Sequence, residues 1–194
     1  MRMTTGNERG FTLTEMMLVL AIGLIIGGLT LAGIPAMLKT SRADGGLAGL
    51  ASALRGAREA AISNRRNVRV TFGTNTVIAT RVEYCASPCS SGPSTTTLKT
   101  STLEGRAEFA LLTSPALPDT PDAFGNASAI ALGTLVPAMF TTDGSFIDSN
   151  GDVLNGTIFM SIPGDRLSAR AVTIFGPTGA MRLWRWDGRA WVEV

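Results

Sequence analysis

The sequence predicts an α+β protein in which a long N-terminal helix packs on a C-terminal antiparallel β-domain. Three observations support this class. An apolar run begins near Phe11, apolar residues recur at helical spacing between residues 45 and 66, and short β-type runs between turn residues follow from residue 67. The 194 residues suffice for one long helix and one globular domain of about 100–150 residues.

The apolar run is long enough to cross a bilayer. From Met16 to Ile34, nineteen residues carry no charge, and Thr30 alone carries a hydroxyl. A transmembrane helix needs about 20 such residues. The run exceeds the apolar region of a removable secretory signal, and no A-x-A-like cleavage site follows it before Lys39. We therefore expect a membrane span over residues 11–38.

Glu15 is the one acidic residue at the start of this run. A carboxylate within an apolar span is unfavourable by roughly 2.5–3.5 kcal/mol on insertion scales. An acid in such a place is therefore expected to have a functional partner. The alternative is a chance acid at the membrane boundary.

The N-terminal stretch "RGFTLTEMMLVLAIGLIIGGLTL" resembles the signal of type IV pilins and of the pseudopilins of type II secretion. Both have a short basic leader ending in glycine, then phenylalanine, then glutamate as the fifth mature residue. The resemblance implies that residues 1–10 are a leader and that a membrane-embedded prepilin peptidase cuts between Gly10 and Phe11. It also implies N-methylation of the new Phe11 amine.

This processing would give Glu15 a partner. Cleavage before Phe11 frees an α-amino group four residues ahead of Glu15, about one helical turn away. In the family, the amine of an incoming subunit pairs with this glutamate of its neighbour. A buried charge is tolerable only when it is paired, so a subunit at the wrong height would leave Glu15 unpaired. We expect Glu15 to set the register of assembly.

Charge does not determine the orientation of the span. Arg2 and Arg9 precede it and Lys39 and Arg42 follow it, so the counts on the two sides are equal. The resemblance implies a single-pass protein of the inner membrane with a cytoplasmic N-terminus and a periplasmic C-terminal domain. It implies as partners other pseudopilins or pilins in a hetero-oligomeric filament, the prepilin peptidase and the inner-membrane assembly platform.

The helix is expected to continue beyond the membrane. Pro35, preceded by several glycines, predicts a bent or locally melted segment. Beyond it, residues 45–66 are expected to form an amphipathic half that packs its apolar stripe against the β-domain. That stripe comprises Leu47, Leu50, Ala51, Leu54, Ala57, Ala61 and Ile62.

Residues 67–194 are expected to form the β-domain. "NVRVTF" and "TVIATRVEY", separated by Gly73-Thr74-Asn75, predict a hairpin, whereas the Ser-, Thr-, Pro- and Ala-rich stretch from Ser87 to Gly125 predicts a long insertion. Further strands are predicted in "SAIALGTLV", "GSFID", "GTIFMSI", "ARAVTIF", "AMRLWRW" and "RAWVEV".

The last two strands contain all three tryptophans of the chain. A two-residue loop at Asp187-Gly188 predicts the opposed pairs Trp186–Arg189, Trp184–Trp191 and Arg182–Glu193. The other face, with Met181, Leu183, Ala190, Val192 and Val194, is expected to point into the core. The tryptophan face could cover the helix or the insertion, dock a partner, or bind DNA. The candidate partner or DNA surface comprises Arg182, Trp184, Arg185, Trp186, Arg189 and Trp191.

The order of the strands "FTTDGSF", "GTIFMSI" and "ARAVTIFGPTGAMRLW" resembles the GspH/FimT branch of these proteins. This resemblance implies a tip-proximal minor pseudopilin of a type II secretion system. The alternative that it implies is a FimT/FimU-like minor type IV pilin in pilus assembly or DNA uptake. FimT-like proteins bind DNA through G-R-x-R, and here the corresponding residues are Gly179-Ala180-Met181-Arg182, with alanine in place of the first arginine.

Composition argues against an enzyme and against a cofactor. The chain has no histidine, which excludes the commonest general base, the Ser-His-Asp triad and histidine-bearing zinc sites. Two cysteines are too few for a four-thiolate metal site. Residues 1–66 carry eight Lys/Arg and four Asp/Glu, but residues 67–194 carry nine and eleven. A slightly acidic domain argues mildly against nucleic-acid binding. We expect no catalytic residues, cofactor or metal.

Two short motifs leave alternatives. Cys85 and Cys89 in "CASPC" are candidates for a small local disulfide, and otherwise are two unpaired thiols in a loop. The stretch "DSNGD" at residues 148–152 has alternating oxygen ligands, but its glycine is not at the sixth position that an EF-hand loop needs. Asn150-Gly151 is better interpreted as a hairpin turn.

Overall fold

The computed structural model describes residues 11–83, 94–112, 120–125, 127–132 and 137–194, with the backbone alone for residues 29–37, 83 and 94. The chain divides into two compact units, one ending at Leu38 and the other comprising Lys39–Val194. The first contains the beginning of a helix. The second contains the remainder of that helix and all of the strands.

Helix α1 comprises Leu13–Asn64. Its backbone is helical through Pro35, so the locally melted segment that we expected there is not present in the described backbone. A proline in a helix removes one backbone hydrogen bond and crowds the preceding turn. The remaining backbone hydrogen bonds nevertheless keep this segment helical. Among the helices of the described chain, none is both long and apolar enough to cross a membrane.

The amphipathic half of α1 buries its predicted stripe in the second unit. Leu50, Leu54 and Ala61 are completely buried. Ile62 is exposed, so its inclusion in the stripe was wrong. Ala43 and Ala53 are buried in addition, which widens the apolar face of the helix beyond the predicted stripe.

Within the described residues, ten strands form two antiparallel sheets. In chain order they are β1 Val68–Phe72, β2 Thr76–Glu83, β3 Ser94–Thr102, β4 Ile130–Ala131, β5 Ala138–Phe140, β6 Phe146–Ile147, β7 Gly156–Ile162, β8 Asp165–Phe175, β9 Ala180–Trp186 and β10 Trp191–Glu193. The first sheet has the order β3-β2-β1-β5-β6 and the second the order β10-β9-β8-β7-β4. With α1 packed on these sheets, the expected α+β, type IV pilin-like class is confirmed.

The two sheets and the helix share one apolar core. Leu50 and Leu54 of α1, Val70 and Phe140 of the first sheet, and Ile158 of the second belong to the same buried cluster. The predicted β1–β2 hairpin is present, with Val70 opposite Ala79. The hairpin follows the alternation of apolar residues that the sequence displays, whereas β7 and most of β8 are buried on both faces.

Strand β3 lies within the stretch from Ser87 to Gly125 that we predicted as a long insertion, and that prediction did not include a strand. It pairs along its whole length with β2, with a bulge opposite Ala79 and Thr80. Its side chains from Thr95 to Thr100 are exposed, so the strand buries no face and shows no apolar alternation. Backbone pairing to β2 therefore places this strand, and that pairing has no signature in the sequence.

The pairing of the last hairpin also differs from the prediction. Trp186 lies opposite Trp191 and Trp184 opposite Glu193, a shift of two residues. The loop is four residues long because the Asp187 carboxylate accepts the N–H groups of Arg189 and Ala190, at 2.7 and 2.8 Å. A shift of two residues preserves the faces of both strands.

The predicted core face of this hairpin is only partly buried. Met181 and Leu183 pack against the main core. Val192 and Val194 do not, and Val194 is 58% exposed. Strand β10 is at the edge of the second sheet, next to β9. The core that packs against β9 does not extend as far as the side chains on the same face of β10.

Candidate assembly site and C-terminal surface

The structure describes the first residues of the expected mature chain but not Gly10, which lies outside the described residues. Phe11 precedes α1 and is exposed. Thr12 caps the helix, because its carbonyl accepts the N–H groups of Glu15 and Met16 at 3.1 and 3.2 Å. Its hydroxyl oxygen also lies 3.3 Å from the Glu15 nitrogen. This is one half of a T-x-x-E capping box, a signal that our reading of the sequence missed.

Glu15 therefore lies in the first turn of α1. A carboxylate there is stabilised by the positive end of the helix dipole. The residues around it are apolar on every side of the helix and are exposed within this unit: Phe11, Leu13, Met16, Met17, Leu18, Val19, Leu20, Ile22, Leu24, Ile25 and Ile26. A helix that is apolar all round is one that other molecules cover.

At the C-terminal end, the tryptophan face is the outer face of the second sheet. Trp186 is only 2% exposed and packs with Ala169, Leu112 and Trp191. The rings of Trp186 and Trp191 are 5.6 Å apart, and the guanidinium carbon of Arg166 lies 5.7 Å from the Trp186 ring centre. Leu112 belongs to the predicted insertion, so part of that insertion covers this face.

A second part of the insertion is tied to the same face by Asp122. Its carboxylate accepts a hydrogen bond from the Thr173 hydroxyl at 2.6 Å and one from Arg182 Nη1 at 2.9 Å. The same hydroxyl accepts the indole N–H of Trp184 at 3.0 Å. Asp122 has a φ of 53°, and Ala123, with a φ of 56°, is also left-handed. These polar contacts offset the backbone strain of two consecutive non-glycine residues in that region.

The segment and the sheet enclose a cleft of about 360 Å³ lined by Asp122, Phe124, Thr173, Phe175, Ala180 and Arg182. Arg182 is 59% exposed and also lies 3.9 Å from a carboxylate oxygen of Glu193. One guanidinium thus stands between two carboxylates, so the local charge is negative. Such a site does not favour an additional phosphate.

The remaining two arginines of the predicted surface are placed differently. Arg185 lies opposite Arg170 and Val192 in the sheet, so it is on the helix-facing side, away from the tryptophans. Including it in one surface with them was wrong. Arg189 lies in the exposed loop. Hydrogen bonds from the N–H groups of Ala190 and Arg189 lower the pKa of Asp187 in the same loop.

The remaining two sequence motifs are the cysteine pair and the "DSNGD" stretch. Cys85 and Cys89 lie outside the described residues. In "DSNGD", the carboxylate of Asp148 accepts the N–H groups of Asn150 and Asp152, at 2.8 and 2.9 Å, and Gly151 has a φ of 92°. These bonds make a turn, as the sequence predicted. Within the described residues, no group of three or more His, Cys, Asp or Glu side chains is placed to hold a metal ion.

Comparison with known proteins identifies the N-terminal region. A family model, the prokaryotic N-terminal methylation motif, matches residues 5–31. This match includes Gly10, Phe11 and Glu15, and it indicates a type IV pilin-like prepilin signal in this region. No curated protein and no solved structure matches the chain.

Proposed function

We propose that this chain is a minor pseudopilin of a type II secretion system, a structural subunit and not an enzyme. Prepilin peptidase cuts between Gly10 and Phe11 and the Phe11 amine is methylated. The product is a single-pass protein of the inner membrane with its C-terminal domain in the periplasm. It joins other pseudopilins near the tip of the pseudopilus through the inner-membrane assembly platform.

The observation that carries this proposal is the methylation motif at residues 5–31, with Glu15 in the first turn of an all-round apolar helix. The motif contains the bond that the peptidase would cut and the residue whose amine would be methylated. The helix has an apolar surface that other subunits or lipid would cover. A carboxylate on that surface is stabilised by pairing with the ammonium group of a neighbouring subunit. The GspH/FimT resemblance of the strands supports the minor-subunit role.

Intact-mass measurement tests the processing step. The full chain is co-expressed with a prepilin peptidase, and the expected product begins at Phe11 and carries one extra methyl group. A matched control replaces Gly10 with a bulky residue, and the leader should then be retained. A wild-type product that still begins at Met1 contradicts the proposal.

Incorporation into filaments tests the role of Glu15. In cells with the remaining pseudopilins, Glu15→Ala should lower the amount of this subunit in sheared filaments by about tenfold or more, because the amine of the neighbour loses its partner. The control is Thr14→Ala, one residue earlier in the same turn. Equal incorporation of both variants argues against Glu15 as the register residue.

The second candidate, a FimT/FimU-like minor pilin that binds DNA, has less support. Arg182 already pairs with Asp122, and buried Trp186 has no face for a base to stack on. The two candidates are separated by a mobility-shift titration of the detergent-solubilised mature chain at two salt concentrations. Retarded DNA at low salt that is lost in Arg182→Ala would favour the second candidate over the first.

A further inference from the structure

The cleft of about 360 Å³ on the outer face of the second sheet is lined by both aromatic and charged side chains. Phe175 of β8 and Phe124 of the insertion are the aromatic ones, and Asp122 and Arg182 are the charged ones. Phe175 is 45% exposed, whereas Trp186 on the same face is only 2% exposed. A large aromatic side chain that lines a cleft and is left exposed is a surface that a binding partner can cover.

The charged groups at the cleft have a net negative charge. Nη1 of Arg182 pairs with Asp122 at 2.9 Å, and its Nε lies 3.9 Å from a carboxylate oxygen of Glu193. The side chains of Asp122 and Glu193 are 18% and 56% exposed, so solvent reaches both. Two carboxylates beside one guanidinium attract a second positive charge.

The carboxylate of Asp122 can accept further hydrogen bonds. One of its oxygens accepts Nη1 of Arg182 at 2.9 Å, and the other accepts the hydroxyl of Thr173 at 2.6 Å. A carboxylate has about four acceptor sites, and among the described residues these two donors use one site on each oxygen. A guanidinium or ammonium group would supply additional donors together with the positive charge, which gives the stronger kind of hydrogen bond.

The lining matches an organic cation better than a metal ion. Hard divalent cations take about six or more oxygen ligands, and no three His, Cys, Asp or Glu side chains are grouped to hold a metal in the part of the chain that the structure describes. The rings of Phe124 and Phe175 offer no such ligand. An aromatic ring does attract a guanidinium or ammonium group within about 6 Å of its face, and the aliphatic part of an arginine or lysine covers apolar surface.

We propose that this cleft binds an arginine or lysine side chain of a neighbouring subunit. The positive group lies against Asp122 and Glu193, and the aliphatic part lies against Phe124 and Phe175. That the basic side chain belongs to a neighbouring subunit rests on the proposed function. The contact would add a site on the β-domain to the assembly contacts of the N-terminal helix.

A titration of the full chain in detergent tests the chemistry of the cleft. The indole N–H of Trp184 donates to the Thr173 hydroxyl, which donates to Asp122, so its nuclear magnetic resonance signal reports on the cleft. Trp184→Phe assigns that signal. N-acetylarginine amide should shift it saturably, with a dissociation constant on the order of 1–10 mM. The uncharged analogue N-acetylcitrulline amide should bind about fivefold more weakly or worse.

Two variants of the cleft and one control accompany the titration. Asp122→Asn keeps the shape of the side chain but removes its charge, and it should weaken binding of the arginine probe by about fivefold. Phe175→Leu alters an exposed position and should weaken binding by about threefold, since the aromatic face is lost. The matched control is Asp187→Asn, which removes a carboxylate beyond the other end of β9 and should leave the dissociation constant unchanged.

A photo-cross-linking residue at Thr178 tests the source of the basic side chain. Thr178 is exposed in the turn between Phe175 and Ala180 and is not among the residues that line the cleft. In cells with the remaining pseudopilins, it should give an adduct with another subunit at a peptide that contains an arginine or lysine. Asp122→Asn should remove most of this adduct. The same photoreactive residue at Leu167, exposed near the other end of β8, should not give it.

Three results of the titration would overturn the cleft as a site for a basic side chain. They are equal affinity for the arginine and citrulline probes, no saturable shift below about 100 mM, and an unchanged dissociation constant in Asp122→Asn. No adduct at Thr178, or one of undiminished yield in Asp122→Asn, would overturn the neighbouring subunit as the source. None of these results bears on cleavage at Gly10 or on Glu15, so a failed cleft leaves the proposed function standing, and an uncleaved leader leaves the titration valid.

Discussion

The carboxylate of Asp122 lies 2.9 Å from Nη1 of Arg182, across a separation of 60 residues in the chain. The pair ties a short 3₁₀ turn at Pro121–Ala123 to the outer face of the second sheet. Arg182, which the sequence predicted as part of a surface for a partner or for DNA, is therefore already paired within the chain. The outer face of the sheet therefore carries an internal ion pair at the place where an external anion would bind.

Replacing Asp122 with Asn should lower the free energy of unfolding by about 1–2 kcal/mol, measured by urea denaturation. The exposed pair with Arg182 contributes little, but one of the two donors loses its acceptor, and the Thr173 hydroxyl is buried. Asparagine also tolerates the left-handed φ of this position. Glu193→Ala is the control, with an expected change below about 0.5 kcal/mol. Equal losses in both variants would mean that the contact with Thr173 contributes nothing.

Gly179 is expected to be one of the least replaceable glycines. A Cβ there would lie 2.1 Å from the carbonyl oxygen of Gly144, and its φ is 61°. Gly179→Ala should therefore destabilise by about 4 kcal/mol or more. The control is Gly151→Ala, where φ is also positive but nothing lies within 4 Å, so only about 1–2 kcal/mol of backbone strain is expected. Similar losses would show that the close approach of the two turns is absent.

Asp143 should contribute a pH dependence at low pH. Hydrogen bonds from the Thr141 hydroxyl, and then from the hydroxyl and N–H of Ser145, lower the pKa of Asp143 from 3.8 to about 2. Because the folded pKa is depressed, this stabilisation is present above the unfolded value and is lost as the pH falls from about 4 to about 2. In Asp143→Asn, this part of the pH dependence of unfolding should disappear. Asp187→Asn serves as a comparison at an independent site, since hydrogen bonds also lower the pKa of Asp187.

Acrylamide quenching of tryptophan fluorescence can test the burial of Trp186. Trp184 and Trp191 are partly exposed, whereas Trp186 is covered, so wild-type protein should show one quencher-resistant component. That component should disappear in Trp186→Phe and persist in Trp184→Phe. Complete quenching of the wild-type emission would contradict the packing of the insertion on this face.

Several elements were predictable because their signals are local. The stripe from Leu47 to Ala61 repeats at helical spacing, and β1 and β2 alternate around a short turn. The motif that contains Gly10, Phe11 and Glu15 is contiguous in the chain, and comparison with known families finds the same region at residues 5–31. How Glu15 is paired in a filament stays a prediction.

Other elements were not predictable because they depend on contacts between distant residues. Strand β3 buries neither face, so its side chains carry no periodic signal. The sequence after Trp186 predicts a two-residue loop. The hydrogen bonds accepted by the Asp187 carboxylate instead favour a loop of four residues. The burial of Trp186 depends in part on Leu112, some seventy residues earlier in the chain.

The sequence by itself determined the class of the protein, the apolar first part of the helix with Glu15 as its single acid, and most of the strands of the core, because each of these is encoded by residues that are neighbours in the chain. Only the tertiary structure decided that Asp44 neutralises Arg170 and that Asp122 engages Arg182. The packing of the core determines which oppositely charged side chains become neighbours. Because the two partners lie far apart in the chain, their spacing in the sequence does not predict the pair.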